Sequence, residues 1–380
     1  MPPTVHSLRI IAGAVFLLSA TLCQAQGTAP SPSPTPSPKT AVQEPETIRI
    51  LTEEVRIPIF AFDEYGHFDP TLTIDDLLVL EDGVPQQVQS VQRIPASILL
   101  LLCASGDVNQ AMRTNLTRDV ALEIVSHLRN GDSISLVQFT SKVELLQDWT
   151  TDKSLITRAL GTGGLRPRGG KFHSGKGTRL APAVARAAAE LQKQPIGNRQ
   201  VVIIGDGVDV PPWANARELM RVLDPKGTEA QAADAALAQA TRELIAAQAA
   251  VHIISYREAE KLEDSRMKQS GVVSSGMSLD PAMRRLRNAY QKAMQRSEEH
   301  LSWLAQETGG RLIVPTTAEE MIAQGGAVAR DIGSEYVITY KPKRSLASAS
   351  KDEYRHLTVS PRRSGLHVRT RRGYVVTTGP

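Results

Sequence analysis

Three short, predominantly apolar runs, each followed by turn-forming residues and a stretch of helical spacing, constrain this chain more than anything else in it. They are Ile98–Cys103, Val201–Ile204 and Val251–Ser255. A strand with no polar alternation must be buried on both faces, which a parallel sheet between two helical layers provides. The segments between them carry helix patterns: Val108–Arg129 stops near Asn130-Gly131, Leu180–Gln194 stops at Pro195, and Ala230–Ala250 runs into the third strand. Further on, His300–Thr308 reads as a helix ended by Gly309-Gly310, Leu312–Val314 as a strand, and Glu319–Ile332 as a helix. Ser133–Phe139 and Val143–Leu146 add two strands. The fold class expected is therefore α/β: a doubly wound, mostly parallel sheet with helices on both faces.

Both flanks read differently. Between Ile48 and Ile94, Val55, Ile57 and Ile59 alternate with Arg56 and Pro58, and Asp82-Gly83 separates two β-rich runs, a strong hairpin signal. After Ser334, Tyr336–Tyr340 is a strand, and Leu357-Thr358-Val359 and Leu366–Arg371 flank the turn Arg362–Gly365. The alternation turns Leu366 and Val368 inward, and His367, Arg369 and Arg371 outward. Isolated hairpins are marginal in water, so the two flanks are expected to form one small β unit. The domain plan is 1–25 signal peptide, 26–47 linker, 48–96 N-terminal β unit, 97–333 α/β domain with a charged insertion at about 257–299, and 334–380 basic β segment. The insertion reads as partly helical, from Pro281 to Arg296.

The leader joins Arg9 to the apolar run Ile10–Leu22 and the small-x-small stretch Cys23-Gln24-Ala25. It reads as a secretion signal, too short for a comfortable membrane span. Leu22 stands where a lipid-attachment site has a small residue; retention as an uncleaved anchor stays open. Thr28–Thr40 alternates Pro with Ser and Thr, an extended, solvated spacer. The expected location is secreted, periplasmic or cell-envelope, with no transmembrane span after signal cleavage.

Net charge is +4, but Ser334–Pro380 holds ten Lys and Arg against three acids, so this tail carries +7 and the rest −3. Arg369, Arg371 and Arg372 are its candidates for contact with an anionic surface. Nucleic acid is not expected, since no aromatics interleave with the basic residues.

Leu72-Thr73-Ile74-Asp75-Asp76 with Leu80-Glu81-Asp82-Gly83-Val84-Pro85-Gln86, and the ending Ser364–Tyr374, resemble the two end motifs of bacterial VWFA-related secreted proteins, of acidobacterial type. The order of elements between them is similar to a von Willebrand factor A-type domain. The resemblance implies a protein-binding module and a metal-ion-dependent adhesion site, normally Asp-x-Ser-x-Ser, then a Thr, then an Asp. Here Cys103 stands at the first Asp and Asp107 at the last Ser, while Ser105, Thr178 and Asp206 match. Ser105, Asp107, Thr178 and Asp206 are thus the candidate ligand-binding face, with no metal expected there beyond weakly held Mg²⁺ or Ca²⁺, and no other cofactor. Cys103 itself reads as a buried small hydrophobe at a strand end.

Catalysis has little to recommend it. The eight histidines form no zinc motif, and no Gly-x-Ser-x-Gly elbow occurs. Gly170–Gly177 nearly fits a phosphate-binding loop, but Gly177 replaces the hydroxyl that would hold Mg²⁺, and no strand precedes Gly170. A non-catalytic interaction module with a protein partner is the primary expectation. A structural or assembly component of the envelope is the alternative, and a nucleotide hydrolase is third.

Overall fold

The computed structural model describes residues 53–104, 110–161, 171–173, 175, 177–205, 207–209, 216–224, 226–255, 258, 281–350 and 352–376. The expected signal peptide and linker lie outside these residues. Leu51–Pro380 form one compact unit.

The α/β part carries β5 (Ser97–Cys103), α1 (Gln110–His127), β6 (Ser133–Phe139), β7 (Val143–Thr150), α2 (Lys153–Leu160), α3 (Leu180–Gln192), β8 (Arg199–Ile204), α4 (Ala216–Leu223), α5 (Thr228–Ala246), β9 (Ala249–Ile254), α6 (Pro281–Thr308), β10 (Arg311–Ile313) and α7 (Ala318–Gly333). The strands form one sheet in the order β10-β9-β8-β5-β6-β7. All pairs are parallel except β6–β7. Every residue of β5, β8 and β9 is buried. That is why these strands carry nearly unbroken apolar runs, as expected, with Ser97, Arg199, Gln200 and His252 as their buried polar exceptions. α1 packs on α7 and α3 on α5, giving a helical layer on each face.

Three helical features differ from expectation. Residues expected as the end of an insertion and as a separate helix form one 28-residue helix, α6. α2 and α4 are additional short helices. α6 is hard to read from sequence because, among its described side chains, only Ala293, Met294, Leu301, Leu304 and Ala305 are buried apolar residues.

The flanking segments supply β1 (Val55–Phe62), β2 (Leu77–Glu81), β3 (Val84–Gln86), β4 (Val88–Gln92), β11 (Tyr336–Tyr340), β12 (Tyr354–Pro361), β13 (His367–Thr370) and β14 (Gly373–Val375). They build two four-stranded sheets, β13-β1-β11-β4 and β14-β12-β2-β3. A shared core of Ile57, Ile59, Val79, Ile338, Leu357 and Tyr374, among others, makes them a sandwich. The small β unit expected from the two chain ends is therefore present. Asp82 (φ 45°) and Gly83 (φ 78°) form the tight turn between β2 and β3. Positive φ at both positions matches a type I′ turn, which the Asp-Gly pair favours.

Two details of the C-terminal reading need correction. β12 and β13 do not pair with each other: β12 pairs with β2 and β14, β13 with β1. The turn at Arg362–Gly365 crosses between sheets. Arg371 is buried, and Arg369 is turned inward, its guanidinium 4.2 Å from the Phe60 ring centroid. Of the three arginines expected to meet an anionic surface, only Arg372 is exposed, and it bonds Glu307 at 2.9 Å. The physical reason is that both faces of this sheet are covered, one by the second sheet and one by the α/β part.

The sandwich sits against the N-terminal ends of the parallel strands. Asn198, just before β8, donates to Ile94 O at 3.2 Å; Arg371 donates to Arg56 O at 2.6 Å and to Gln248 at 3.3 Å; Arg369 donates to Gly309 O at 3.1 Å. The C-terminal ends of the strands, at the opposite edge, are left to the loops.

Within the sandwich core, Glu81 accepts from the Tyr340 hydroxyl at 2.7 Å, the Tyr374 hydroxyl at 2.8 Å and Arg355 Nη1 at 3.0 Å. All four side chains are buried. Burial raises the pKa of both phenols, and the neighbouring carboxylate, which their neutral hydroxyls serve as donors, raises them further.

Candidate functional site

The chain leaves β5 through α1 to reach β6 on one side, while β8 lies on the other. The sheet therefore reverses direction of winding between β5 and β8, and in open α/β sheets ligands collect at the C-terminal ends of the strands at such a point. Several loop segments meet there. Ala104 N donates to Phe139 O at 3.0 Å, and Gly175 N donates to Ala104 O at 2.9 Å. Arg179 N donates to Thr140 O at 3.0 Å, which ties the segment carrying Thr178 to the end of β6.

At the switch point itself, Gly205 closes against Cys103. A Cβ on Gly205 would lie 2.8 Å from Cys103 Cβ, so no larger residue fits without movement. Cys103 is 3% exposed, consistent with its reading as a packed small side chain. Thr178 is buried. Beside it a groove of about 640 Å³ opens between α3 and α5, lined by Thr178, Arg179, Asp209 and the alanine-rich faces of the two helices.

Of the candidate residues, Thr178 is placed at this edge; Ser105, Asp107 and Asp206 lie outside the described residues. A residue that sequence reasoning passed over also belongs here. Asp209 accepts from Leu180 N at 2.6 Å and so caps the first turn of α3 from a different loop. The N-cap position of α3 is Arg179, whose side chain makes no cap hydrogen bond, so Asp209 satisfies an amide of the first turn that the local sequence leaves open.

The donor set fits a tightly held Mg²⁺ poorly. Mg²⁺ wants hard oxygens in near-octahedral geometry, and Cys103 offers a soft sulfur where the family pattern has a carboxylate. The phosphate-loop reading also loses ground. The described element before Gly170 is the helix α2 and not a strand; Lys171 Nζ donates to Leu146 O at 2.9 Å, and Phe172 is buried in the α/β core.

Residues 101–208 match the family model of the von Willebrand factor type A domain. That span starts within β5 and contains the switch point with all four candidate residues. No curated protein matches the chain. Solved structures similar to it include the PilB minor pilin of Streptococcus sanguinis (10% identity, TM-score 0.43), with 64% of this chain and 62% of the pilin covered. The chain thus spans less than two thirds of the pilin's length. Others are a von Willebrand factor type A protein from Catenulispora acidiphila (9% identity, TM-score 0.41, covering 86% of this chain and 74% of that one) and the vWF domain of the type V pili tip protein Mfa5 from Porphyromonas gingivalis (12% identity, TM-score 0.38, covering 63% and 96%). Sheet order, two helical layers and the family match define a von Willebrand factor A-type α/β fold. The chain combines that domain with a β-sandwich drawn from both of its flanks.

Proposed function

We propose that this chain is a secreted or envelope-associated binding module without catalytic activity, and that it holds a protein partner at the C-terminal edge of the six-stranded sheet. The observation that carries the reading is the winding reversal between β5 and β8, with the Thr178 segment and the Asp209 loop drawn to the same edge and the sandwich docked at the other. Ser105, Asp107, Thr178 and Asp206 are the residues assigned to the contact. Adhesion-type A domains draw an acidic group of the partner to a metal ion. Here recognition rests on the protein's own hydroxyls, carboxylates and backbone, with Mg²⁺ or Ca²⁺ held weakly at most.

Capture experiments test the assignment. With the full exported chain as bait, Asp107→Lys should lower recovery of the partner at least tenfold, as expected when a contact worth about 1.4 kcal/mol or more is lost. The control Arg362→Ala, on the exposed turn of the sandwich, should leave recovery unchanged. The opposite pattern would move the binding surface to the sandwich.

A further inference from the structure

Of the seven histidines among the described residues, His252 alone is buried; His67, His127, His173, His300, His356 and His367 are exposed. It lies in β9 with no exposed surface, and neither ring nitrogen has a hydrogen-bond partner. Its surroundings are rich in cations. On β10 its register partner is Arg311, which pairs with Asp331 of α7 at 2.6 Å. From β1, the Phe60 ring meets the imidazole edge-on at 5.9 Å, and Arg369 of β13 covers the same ring at 4.2 Å. Glu335, between α7 and β11, is fully buried and is bonded by Gln200 of β8. Arg371 is buried beyond it. Three guanidiniums thus share this joint with two carboxylates, and the imidazole fits it only when neutral.

We propose that the joint between the sandwich and the α/β sheet is an acid-sensitive latch, in which protonation of His252 adds a cation to a buried, cation-rich contact and releases β1 and β13 from β9 and β10. The ring has no exposed surface, and neither of its nitrogens has an acceptor within hydrogen-bond reach. It gains both only if Phe60 and Arg369 move away.

The sign follows from linkage. Burial, then Arg369 and Arg311, hold the imidazole well below its usual pKa of 6.5. A group with a depressed folded-state value that is neutral when buried stabilises above the unfolded value, and that stability is lost as pH falls below 6.5. Glu335 and Asp331 work in the other direction. Burial raises both carboxyls, so acid relieves the cost of burying their charge. The His252 contribution is therefore read as a difference between the native chain and a variant lacking only the imidazole.

Hydrogen exchange on the full chain between pH 7.5 and pH 5, corrected for intrinsic rates, tests the latch. Relative to His252→Leu, the protection of the Arg372 amide, which donates to Glu307 O across the joint at 3.2 Å, should fall up to about tenfold per pH unit below 6.5, the limit for one linked proton. Protection in β5 and β8 should not follow. Arg369→Met keeps the imidazole but removes one repelling charge, so it should shrink the acid effect; it also serves if His252→Leu does not fold. A native-to-variant ratio that stays flat across this range would overturn the proposal. So would an equal loss in β5 and β8, which would mean that the whole chain unfolds and no joint opens.

Discussion

A chain ending at Gly333 should lose all amide protection from Val55 to Gln92, although none of those residues is removed. β1 lies between β13 and β11 and would lose both neighbours; β4 would lose β11; β2 would keep only the three-residue β3. Half of the sandwich core, from Tyr336 to Val376, would leave with the deleted strands. A two-stranded remnant is marginal in water, and Phe60, now covered by Arg369, would lie open on a partnerless strand. Hydrogen exchange or limited proteolysis reads the result. Protection of Val55–Gln92 equal to that of the full chain would show that the N-terminal segment folds alone, against the two-ended sandwich.

The second large effect belongs to Glu81. Its carboxylate is the common acceptor for Tyr340, Tyr374 and Arg355, none of which has appreciable exposure. Glu81→Ala leaves a buried guanidinium without this partner and two phenols without their acceptor. Removing one member of a buried ion pair costs about 3–5 kcal/mol, and urea unfolding of the full chain should lose stability in that range. Glu81→Gln keeps an acceptor oxygen and should cost less. A cost for Glu81→Ala below about 1 kcal/mol, the range of exposed ion pairs, would show that Arg355 had found water or a substitute. Arg355 also donates to Glu353 and to the carbonyls of Arg344 and Ser345, so it cannot swing out without breaking those bonds as well.

The sequence disclosed those parts of the fold whose environment is uniform along an element. Ile98–Cys103, Val201–Ile204 and Val251–Ser255 are covered on both faces, and runs this short, bounded by turn residues, suit a buried strand better than a helix. Asp82-Gly83 was legible because few other pairs suit two successive positive φ values. Alternation in Leu366–Arg371 gave the two sides of β13 but could not say that both sides are covered, so Arg369 and Arg371 were assigned to solvent. Nor does a period of two name the partner strand: segments that flank one turn suggest a hairpin, whereas β12 pairs with β2 and β14, and β13 with β1. α6 hid behind its charge, because a long helix with a narrow buried stripe looks like an insertion until the sheet beneath it is seen. At the candidate site, Thr178 follows from the family resemblance, and its buried position lies at the C-terminal edge of the sheet. Asp209 does not follow from it, because its role depends on a helix start 29 residues earlier in the chain.

The account turns on a binding face that does not need a tightly held ion, and titration calorimetry with Mg²⁺ tests that most directly. The native chain is compared with the double variant Cys103→Asp, Asp107→Ser, which restores a hard oxygen at the first position and a neutral hydroxyl at the last. The account predicts no saturable heat from the native chain up to millimolar Mg²⁺, clear binding by the variant, and native partner capture that survives a chelator. Tight, saturable Mg²⁺ binding by the native chain, with capture abolished by the chelator, would contradict it.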